Sequence, residues 1–287
     1  MKRQHENFTH NAPNKLRILN PRMKTIFITS FHPHISRNII QTKAFELLKK
    51  SSDLRIVLIV PEYKRDYFQQ QFSGDNTIIE GVPLFQASRS FRGLFFKRMG
   101  VFLFNTKTAT LRKRYQHYHD KKYLQFMLSL AGGYIGRWFW FRGIMRRLDL
   151  QFSPRWFFDG LFSTYQPQLV FATDIQNEND VSLMQAARMR HIPIVGMLRS
   201  WDNVTQRIIR VFPDKLLVGS QALFDEVIEL YRYPRAKILL TGSPHYDVYR
   251  KGPTSSKEKF FKEWGLDLNK KTILYAPVGN ILINVND

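Results

Sequence analysis

Two histidines lie in a short loop that follows the first predicted strand. The strand is Met23–Ser30, and the loop FHPHISRN places His32 and His34 directly after it. Neutral imidazole accepts protons near neutral pH, so either histidine could be a general base, or both could simply be turn residues. Ser36 and Asn38 precede the next helix, whose amide groups could hold a phosphate or carboxylate. Helix capping explains these two residues equally well.

An acidic residue, Asp174, directly follows the predicted strand Leu169–Thr173. A carboxylate at this point could accept a proton or bind sugar hydroxyls. Glu178 and Asp180 follow at the start of a helix, where acids are favoured by capping and by the helix dipole. We therefore keep only Asp174 as a candidate catalytic residue and interpret the other two acids as helix-end residues.

The densest polar cluster follows the predicted strand Pro193–Leu198. Its aspartate and asparagine could hydrogen-bond sugar hydroxyls, its tryptophan could stack on a sugar, and its arginine could hold a diphosphate. Alternatively, the cluster forms a turn and its tryptophan fills a gap beside the sheet. Its members are Arg199, Ser200, Trp201, Asp202 and Asn203.

Small residues follow the two last predicted strands. Gly242 and Ser243 come after Lys237–Thr241, and Gly279 comes after Thr272–Ala276. Small residues let a ligand approach the backbone, although a plain tight turn accounts for Gly242 and Ser243 equally well. The chain contains no dinucleotide fingerprint, no P-loop and no cluster with metal-ligand spacing.

The elements that would position these residues alternate between strand and helix. Such alternation predicts an α/β fold with a doubly wound, Rossmann-like parallel sheet. Ligands bind at the carboxyl ends of the strands in such sheets, which is where the polar residues above lie. The remaining predicted strands are Leu54–Val60, Ile78–Pro83 and Lys215–Gly219, and the predicted helices are Ile39–Lys50, Val181–Arg190, Leu223–Tyr231 and Lys257–Trp264.

The chain divides into three parts at the level of sequence. Residues 1–20 are polar and predicted to be a disordered tail, and residues 21–252 form the Rossmann-like domain. This domain contains a helical insertion at about 86–150, rich in basic and aromatic residues. Residues 253–287 are predicted to be a linker and the beginning of a second, truncated domain.

Composition narrows the classes of partner. The 287 residues include no cysteine, which excludes disulfides and thiolate metal sites and favours the cytoplasm. The formal net charge is +21, so the surface should attract polyanions. Between Gln86 and Leu150 there are fourteen lysines and arginines against two acids, together with fourteen aromatic residues. No run there reaches the roughly 18 uncharged residues that a membrane span needs.

Three interpretations of the insertion remain. Basic helices that carry tryptophan bind anionic membrane surfaces, and the segment with Arg137, Trp138, Trp140 and Arg142 fits this best. Nucleic-acid binding also uses basic and aromatic side chains, but no nucleic-acid module is recognisable, so we do not expect such a partner. In the third interpretation the aromatic residues pack beneath a helical cap.

The segment Arg199–Thr205, RSWDNVT, resembles the SWDN-T element of bacterial surface-polysaccharide biosynthesis proteins. The later FPDKLLVGSQ and ILLTGSPHYD continue the same order of elements. In this order the chain also resembles CDP-glycerol glycerophosphotransferases and non-hydrolysing UDP-N-acetylglucosamine 2-epimerases. The resemblance is best over Leu169–Asp247 and implies the GT-B architecture, in which two Rossmann-like domains face each other.

The resemblance implies transfer of a sugar or glycerol phosphate from a nucleotide-activated donor to a hydroxyl of a saccharide or lipid-linked acceptor. The donor would bind mainly to the second domain, so this chain would supply the acceptor side. The resemblance implies no metal, because helix dipoles and basic side chains stabilise the leaving diphosphate in GT-B enzymes. It implies no cofactor either, since the nucleotide-sugar is a substrate. The His32–His34 loop would supply the base, and the cluster at Arg199–Asn203 would orient the acceptor.

Two other functions stay open: an epimerase that acts on the nucleotide-sugar alone, and a non-catalytic, membrane-associated partner. The expected location is the cytoplasm, with binding to the inner face of the cell membrane.

Overall fold

The computed structural model describes residues 23–32, 35–121, 123–200 and 203–275. The chain separates into two compact units, Met1–His245 and Tyr246–Asp287. The predicted N-terminal tail and Gly279 lie outside the described residues.

The first unit is built on a seven-stranded sheet in which every neighbouring pair is parallel. The strand order is β3-β2-β1-β4-β5-β6-β7. This order confirms the predicted Rossmann-like, doubly wound α/β fold, and each predicted strand of this unit joins the sheet. The strands are β1 (Lys24–Thr29), β2 (Leu54–Pro61), β3 (Thr77–Val82), β4 (Leu169–Ala172), β5 (Ile194–Met197), β6 (Lys215–Val218) and β7 (Ile238–Leu240).

Helices cover both faces of the sheet. The helices of the first unit are α1 (Lys43–Lys49), α2 (Arg65–Phe72), α3 (Phe91–Phe102), α4 (Lys107–Asp120), α5 (Tyr123–Ile135), α6 (Phe139–Phe152), α7 (Asp159–Tyr165), α8 (Glu178–Met189) and α9 (Gln221–Tyr231). The helix predicted at Ile39–Lys50 is interrupted: a wide helical turn spans Ser36–Ile40, and α1 starts at Lys43.

The core has two parts, one on each face of the sheet, because successive strand side chains point to opposite faces. Phe27 packs with Val57 and Val170 on one face, and Ile28 packs with Leu58 on the other. Since β2 is buried on both faces, its near-continuous apolar sequence is that of an interior parallel strand. Complete burial of such side chains stabilises the fold by about 1.5–3 kcal/mol each.

The predicted insertion is present as the four helices α3 to α6, which lie between β3 and β4 in the chain. A buried lysine, Lys113, joins three of them, α3, α4 and α5: its ammonium donates to the carbonyl oxygens of Phe102 at 3.1 Å, Phe104 at 3.0 Å and Ser129 at 3.0 Å. These bonds satisfy carbonyls at the end of α3 and hold α4 against α5. Burial lowers the pKa of Lys113 to about 8.

The second unit is described as far as Tyr275. It contains α10 (Lys257–Glu263), which Ser256 caps by accepting a hydrogen bond from the Lys259 amide at 3.2 Å. The strand predicted at Thr272–Ala276 is not formed over residues 272–275, and Ala276 lies outside the described residues. A strand needs a neighbour to satisfy its backbone groups, and the described part of this unit contains no other strand.

Candidate functional site

The carboxyl ends of β1 and β4 lie at the topological switch point of the sheet, where the order in which the chain adds strands reverses. From β1 the chain proceeds outward to β2 and β3, whereas β4 to β7 extend on the other side. In open parallel sheets the loops after two such strands diverge, and ligands bind in the crevice expected between them. The loop that contains His32 and the loop that contains Asp174 border this point.

Beneath the crevice, a buried hydrogen-bond network joins β1 to β4 and α8. The Thr173 amide donates to the Thr29 hydroxyl at 3.0 Å, and the Thr173 hydroxyl donates to the Thr29 carbonyl at 2.9 Å. The Thr29 hydroxyl in turn donates to Oδ1 of Asp180. The second carboxyl oxygen of Asp180, Oδ2, is buried and has no hydrogen-bond partner among the described residues.

Burial raises the pKa of Asp180 well above its ordinary value, and the neighbouring charge of Asp174 raises it further. A buried carboxylic acid of this kind favours its neutral form. Since the charge of Asp174 affects the pKa of Asp180, the carboxyl groups of these two residues lie near each other. Perturbed acids of this kind are typical of functional sites, although structural networks also produce them.

Asp174 holds Arg199 at the edge of the site. Its carboxylate Oδ2 lies 3.0 Å from Nη1 of Arg199, and Arg199 Nη2 donates to Oδ1 of Asn203 at 3.5 Å. The Asp174 side chain is 3% exposed and that of Arg199 is 24% exposed. Burial raises the pKa of Asp174, and the Arg199 charge acts in the opposite direction. The arrangement presents a guanidinium to solvent and hides the carboxylate behind it.

A second ion-pair group fastens the insertion to α8. Arg210 donates from Nε and Nη2 to both carboxylate oxygens of Asp149, at 2.7 and 2.8 Å, and from Nη1 to Oε2 of Glu178 at 2.7 Å. All three residues are buried. Burial alone would lower the pKa of Arg210. The hydrogen bonds and charges of Asp149 and Glu178 outweigh burial and raise this pKa above its ordinary value. Glu178 is thus a long-range ion-pair partner, and the N-cap of α8 is Asn177.

Positive charge converges beside these acids. Nη1 of Arg207 lies 3.6 Å from Oε1 of Glu178. Burial lowers the pKa of Arg207, the Glu178 charge opposes this, and Arg112 and Arg199 are near enough to lower it further. Arg112 belongs to α4 and donates to the Gln206 side chain at 2.9 Å. The three guanidinium groups of Arg112, Arg199 and Arg207, which we call the arginine cluster, could together hold a multiply charged anion.

The structure brings together three predicted site residues: Asp174, Arg199 and Asn203. His32 is half-buried in the loop after β1, and Asn38 is buried in the turn that follows. Ser200 is half-buried beside Arg199. His34, Trp201 and Asp202 lie outside the described residues, as does the side chain of Ser36.

Gly242 and Ser243 lie apart from this group, in the turn after β7. Strands β5 and β6 separate β7 from β4, a distance of about 14 Å at the usual strand spacing. Gly242 has a φ of +73°, which favours glycine, so the turn itself accounts for this residue. A ligand at β1 and β4 would have to be extended to reach it.

The residues predicted to contact a membrane divide into two sets. Arg137, Trp138 and Trp140 are exposed, and the two indole rings stack with centroids 6.0 Å apart. Arg142 is buried instead: it donates from Nε to the carbonyl of Gly136 and from Nη1 to that of Leu230 at 3.0 Å. Arg142 is therefore a structural residue, because its guanidinium satisfies one carbonyl inside the insertion and one on α9.

The sequence interpretation missed the ion pairs that Arg207 and Arg210 make. One signal was available: Asp149 is one of only two acids among the many basic residues between 86 and 150. A lone acid in such a segment favours a buried ion pair. Its partner Arg210 lies 61 residues away, so no local pattern identifies it.

Within the described residues, no three histidine, aspartate or glutamate side chains converge as metal ligands would. In the same part of the chain, no helix combines the length and apolar character needed to cross a bilayer.

Comparison with known proteins does not identify a family. No family model matches the chain, and no curated protein matches it. Among solved structures, the chain is similar to UDP-N-acetylglucosamine 2-epimerase from Rickettsia bellii, with 12% sequence identity and a TM-score of 0.41 over 86% of this chain. The chain spans 52% of that protein, about half its length. A likeness at this level carries no argument about activity, so the Rossmann-like assignment depends on the strand order described above.

Proposed function

We propose that this chain forms the acceptor-side domain of a GT-B-type transferase that makes bacterial surface polysaccharide. It would transfer a sugar, or glycerol phosphate, from a nucleotide-activated donor to a hydroxyl group. The observation that carries the proposal is the contact of Asp174 with Arg199 and of Arg199 with Asn203, beside the β1–β4 crevice. The residues that resemble the polysaccharide-synthesis element thus meet the predicted acid at the ligand-binding edge of the sheet.

In sugar transfer the acceptor hydroxyl attacks the sugar carbon that carries the diphosphate: a carbon–oxygen bond forms to the acceptor, the bond to the diphosphate breaks, and the nucleoside diphosphate leaves. In glycerol phosphate transfer the hydroxyl attacks the phosphorus that carries glycerol: a phosphorus–oxygen bond forms to the acceptor, the bond between the two phosphates breaks, and CMP leaves. His32 would take the hydroxyl proton, since it is a half-buried imidazole in the loop at the crevice. Arg199 and Arg207 would stabilise negative charge on the reacting phosphate groups.

Asp174 has a different role in this proposal from the one its sequence position suggests. Its carboxylate is almost fully buried and paired with Arg199, so a hydroxyl could reach it only by displacing that guanidinium. We therefore assign Asp174 as the positioning residue that orients Arg199. Arg199 is the group that contacts the ligand.

One observation favours the epimerase alternative. Asp174 and Asp180 are neighbouring carboxyl groups, and burial together with the Asp174 charge raises the pKa of Asp180. A neutral and a charged carboxyl group close together can supply an acid and a base. Such an enzyme would convert a nucleotide-sugar without any acceptor.

The acceptor in this proposal lies at an anionic membrane surface on the cytoplasmic side. Trp138 and Trp140 are exposed beside Arg137, a combination that binds at the interface of lipid bilayers. The apolar side chains of α5 supply a larger exposed surface. Leu124 is 75% and Met127 is 61% exposed.

The test is an assay of the full chain with a panel of nucleotide-sugars and CDP-glycerol, with and without saccharide and lipid acceptors. Release of the nucleotide only when an acceptor is present would support the transferase. Isomerisation without acceptor would support the epimerase. Since the donor is proposed to bind mainly outside this chain, the transferase is contradicted if the chain binds none of the acceptors and turns over none of the donors.

Substitution of Arg199 then tests the site itself. Arg199→Gln should lower kcat by about 100-fold or more, the usual loss when a charge-stabilising donor is removed. Arg188→Gln is the matched control, because Arg188 forms a partly exposed ion pair with Asp214 at the amino ends of the strands. Equal loss in both variants would contradict the assignment of Arg199.

A further inference from the structure

A cavity of about 230 Å³ lies between α3, α4 and α5, away from the sheet. We call it the insertion cavity. Five of its eleven lining side chains are basic or histidine, and none is acidic. The lining consists of Leu94, Lys97, Arg98, Val101, Phe102, Arg112, Lys113, His117, Gln125, Phe126 and Ser129.

The walls of the insertion cavity are held in place before any ligand arrives. The ammonium of Lys113 donates to three backbone carbonyls on α3, on α5 and between α3 and α4. These bonds hold α3, α4 and α5 together around the cavity. Preformed pockets that combine apolar walls with a few fixed polar groups are typical ligand sites.

His117 adds a polar group with unused hydrogen-bonding capacity. Its ring stacks on Phe126 with centroids 4.4 Å apart, which fixes its orientation. Its Nδ1 atom is buried and has no hydrogen-bond partner among the described residues. A buried polar atom without a partner costs free energy that a bound ligand could recover.

The insertion cavity connects two features described above. On one side Arg112 lines the cavity and also belongs to the arginine cluster beside the sheet. On the other side Gln125 and Phe126 line it from α5, next to Leu124 and Met127, which are exposed. A ligand with an anionic head and an apolar chain would match this sequence of surfaces.

We infer that the insertion cavity binds the phosphate head of an anionic amphiphile, with Arg98 and Arg112 pairing with the phosphate and the apolar chain following α5. That this amphiphile is the lipid-linked acceptor rests on the proposed transferase function. The binding site itself does not depend on that function.

Isothermal titration of the full chain with decyl phosphate, below its micelle concentration, tests the site directly. We expect decyl phosphate to bind at least tenfold more tightly than inorganic phosphate, because only the former has an apolar chain. The double variant Arg98→Gln/Arg112→Gln should weaken its binding at least tenfold. The matched control Lys107→Gln/Arg114→Gln removes the same charge from exposed positions on α4 outside the cavity and should change binding less than twofold.

Three results would overturn the inference. Equal affinity for inorganic phosphate and decyl phosphate would indicate a site for free phosphate. If the two double variants weaken decyl phosphate binding equally, the attraction is diffuse and not specific to the cavity. If decyl phosphate does not bind at all, the proposed site does not exist. Val101→Phe, which fills the cavity from its apolar wall, provides a second check: it should abolish binding while thermal unfolding shows that the variant is folded.

The source of the phosphate is distinguished with vesicles. Vesicles that contain phosphatidic acid should bind more weakly to the Arg98→Gln/Arg112→Gln variant than to the Lys107→Gln/Arg114→Gln control. These titrations involve no turnover, so decyl phosphate binding without transferase activity would leave the site intact and contradict only the proposed function.

Discussion

Helices α8 and α5 both depart from the usual rule that polar side chains are exposed and apolar side chains are buried. Helix α8 buries polar residues, and α5 exposes apolar ones. The polar residues buried on α8 are Glu178, Asn179, Asp180, Ser182 and Gln185. The large side chains exposed on α5 are Tyr123, Leu124, Met127, Leu128, Leu130 and Tyr134, while its buried residues are Ser129, Gly132 and Gly133.

The difference between the two helices lies in where their partners are. Glu178 pairs with Arg210, Asp180 accepts from Thr29, and Asn179 Oδ1 accepts from the Phe85 amide at 2.7 Å. Most of the buried polar side chains of α8 thus have partners inside the chain. The apolar face of α5 remains exposed in the described structure, and large exposed apolar patches are typical of interaction sites.

The largest expected effect comes from breaking the internal partnership of α8. Arg210→Met should lower the free energy of unfolding by about 3–5 kcal/mol, because it leaves the buried carboxylates of Asp149 and Glu178 without a cation. Urea denaturation measures the change. Arg147→Met on the exposed face of α6 is the control and should cost less than about 0.5 kcal/mol. Similar losses in the two variants would mean that the buried ion pairs do not support α8.

A smaller effect is expected at the exposed face of α5. The triple variant Leu124→Ser/Met127→Gln/Leu128→Gln should leave the free energy of unfolding nearly unchanged, because these side chains are already in water. It should weaken binding to anionic vesicles at least tenfold, since the apolar contact with the bilayer is lost. Flotation at low and high salt is the measurement.

Leu47→Ser, a change to an exposed leucine on α1, is the control for vesicle binding. If the triple variant unfolds much more easily than wild type while keeping its vesicle affinity, α5 is a packed helix and not a membrane surface.

The smallest effect is a difference in pH dependence between two acids. Burial and the Asp174 charge raise the pKa of Asp180, so the folded state retains a proton that the unfolded state loses. Stability therefore falls as pH rises from about 4 through the folded pKa, and Asp180→Asn should remove this loss. Measured by urea denaturation, the free energy of unfolding of the variant relative to that of wild type should increase between pH 5 and pH 8.

The pH dependence that Asp214 contributes to stability has the opposite sign to that of Asp180. Burial acts against it, but the hydrogen bonds from Arg188 and the Ile194 amide lower the pKa of Asp214. Its stabilisation is present above the ordinary pKa and is lost as pH falls through the folded pKa, so Asp214→Asn should be most harmful at neutral pH. Parallel pH profiles for the two variants would contradict the difference in their environments.

Much of the sheet could be predicted from the sequence alone. Leu54–Pro61 is apolar almost throughout, which is typical of a parallel strand buried on both faces, and helices separate most of the successive strands. Asp174 and Arg199 were also identifiable, because both follow predicted strands at the ligand-binding edge. Their contact depends on β4 and β5 being neighbours, which follows from the topology.

The partners of the buried charges could not be predicted, because they are distant in sequence. Arg210 meets Asp149 and Glu178 only after the insertion has folded back against α8. The acids at the start of α8 look like capping residues when only local sequence is considered. In the structure the cap is Asn177, and the acids bind groups from other elements.

The sequence by itself determined that α5 is an apolar helix too short to span a bilayer, since 13 residues extend only about 20 Å. Only the tertiary structure decided which side of that helix is exposed. A Cβ atom on Gly132 would lie 3.1 Å from the side chain of Phe102, so the narrow glycine side packs closely against α3. The larger side chains have no room there, and this steric constraint turns them outward.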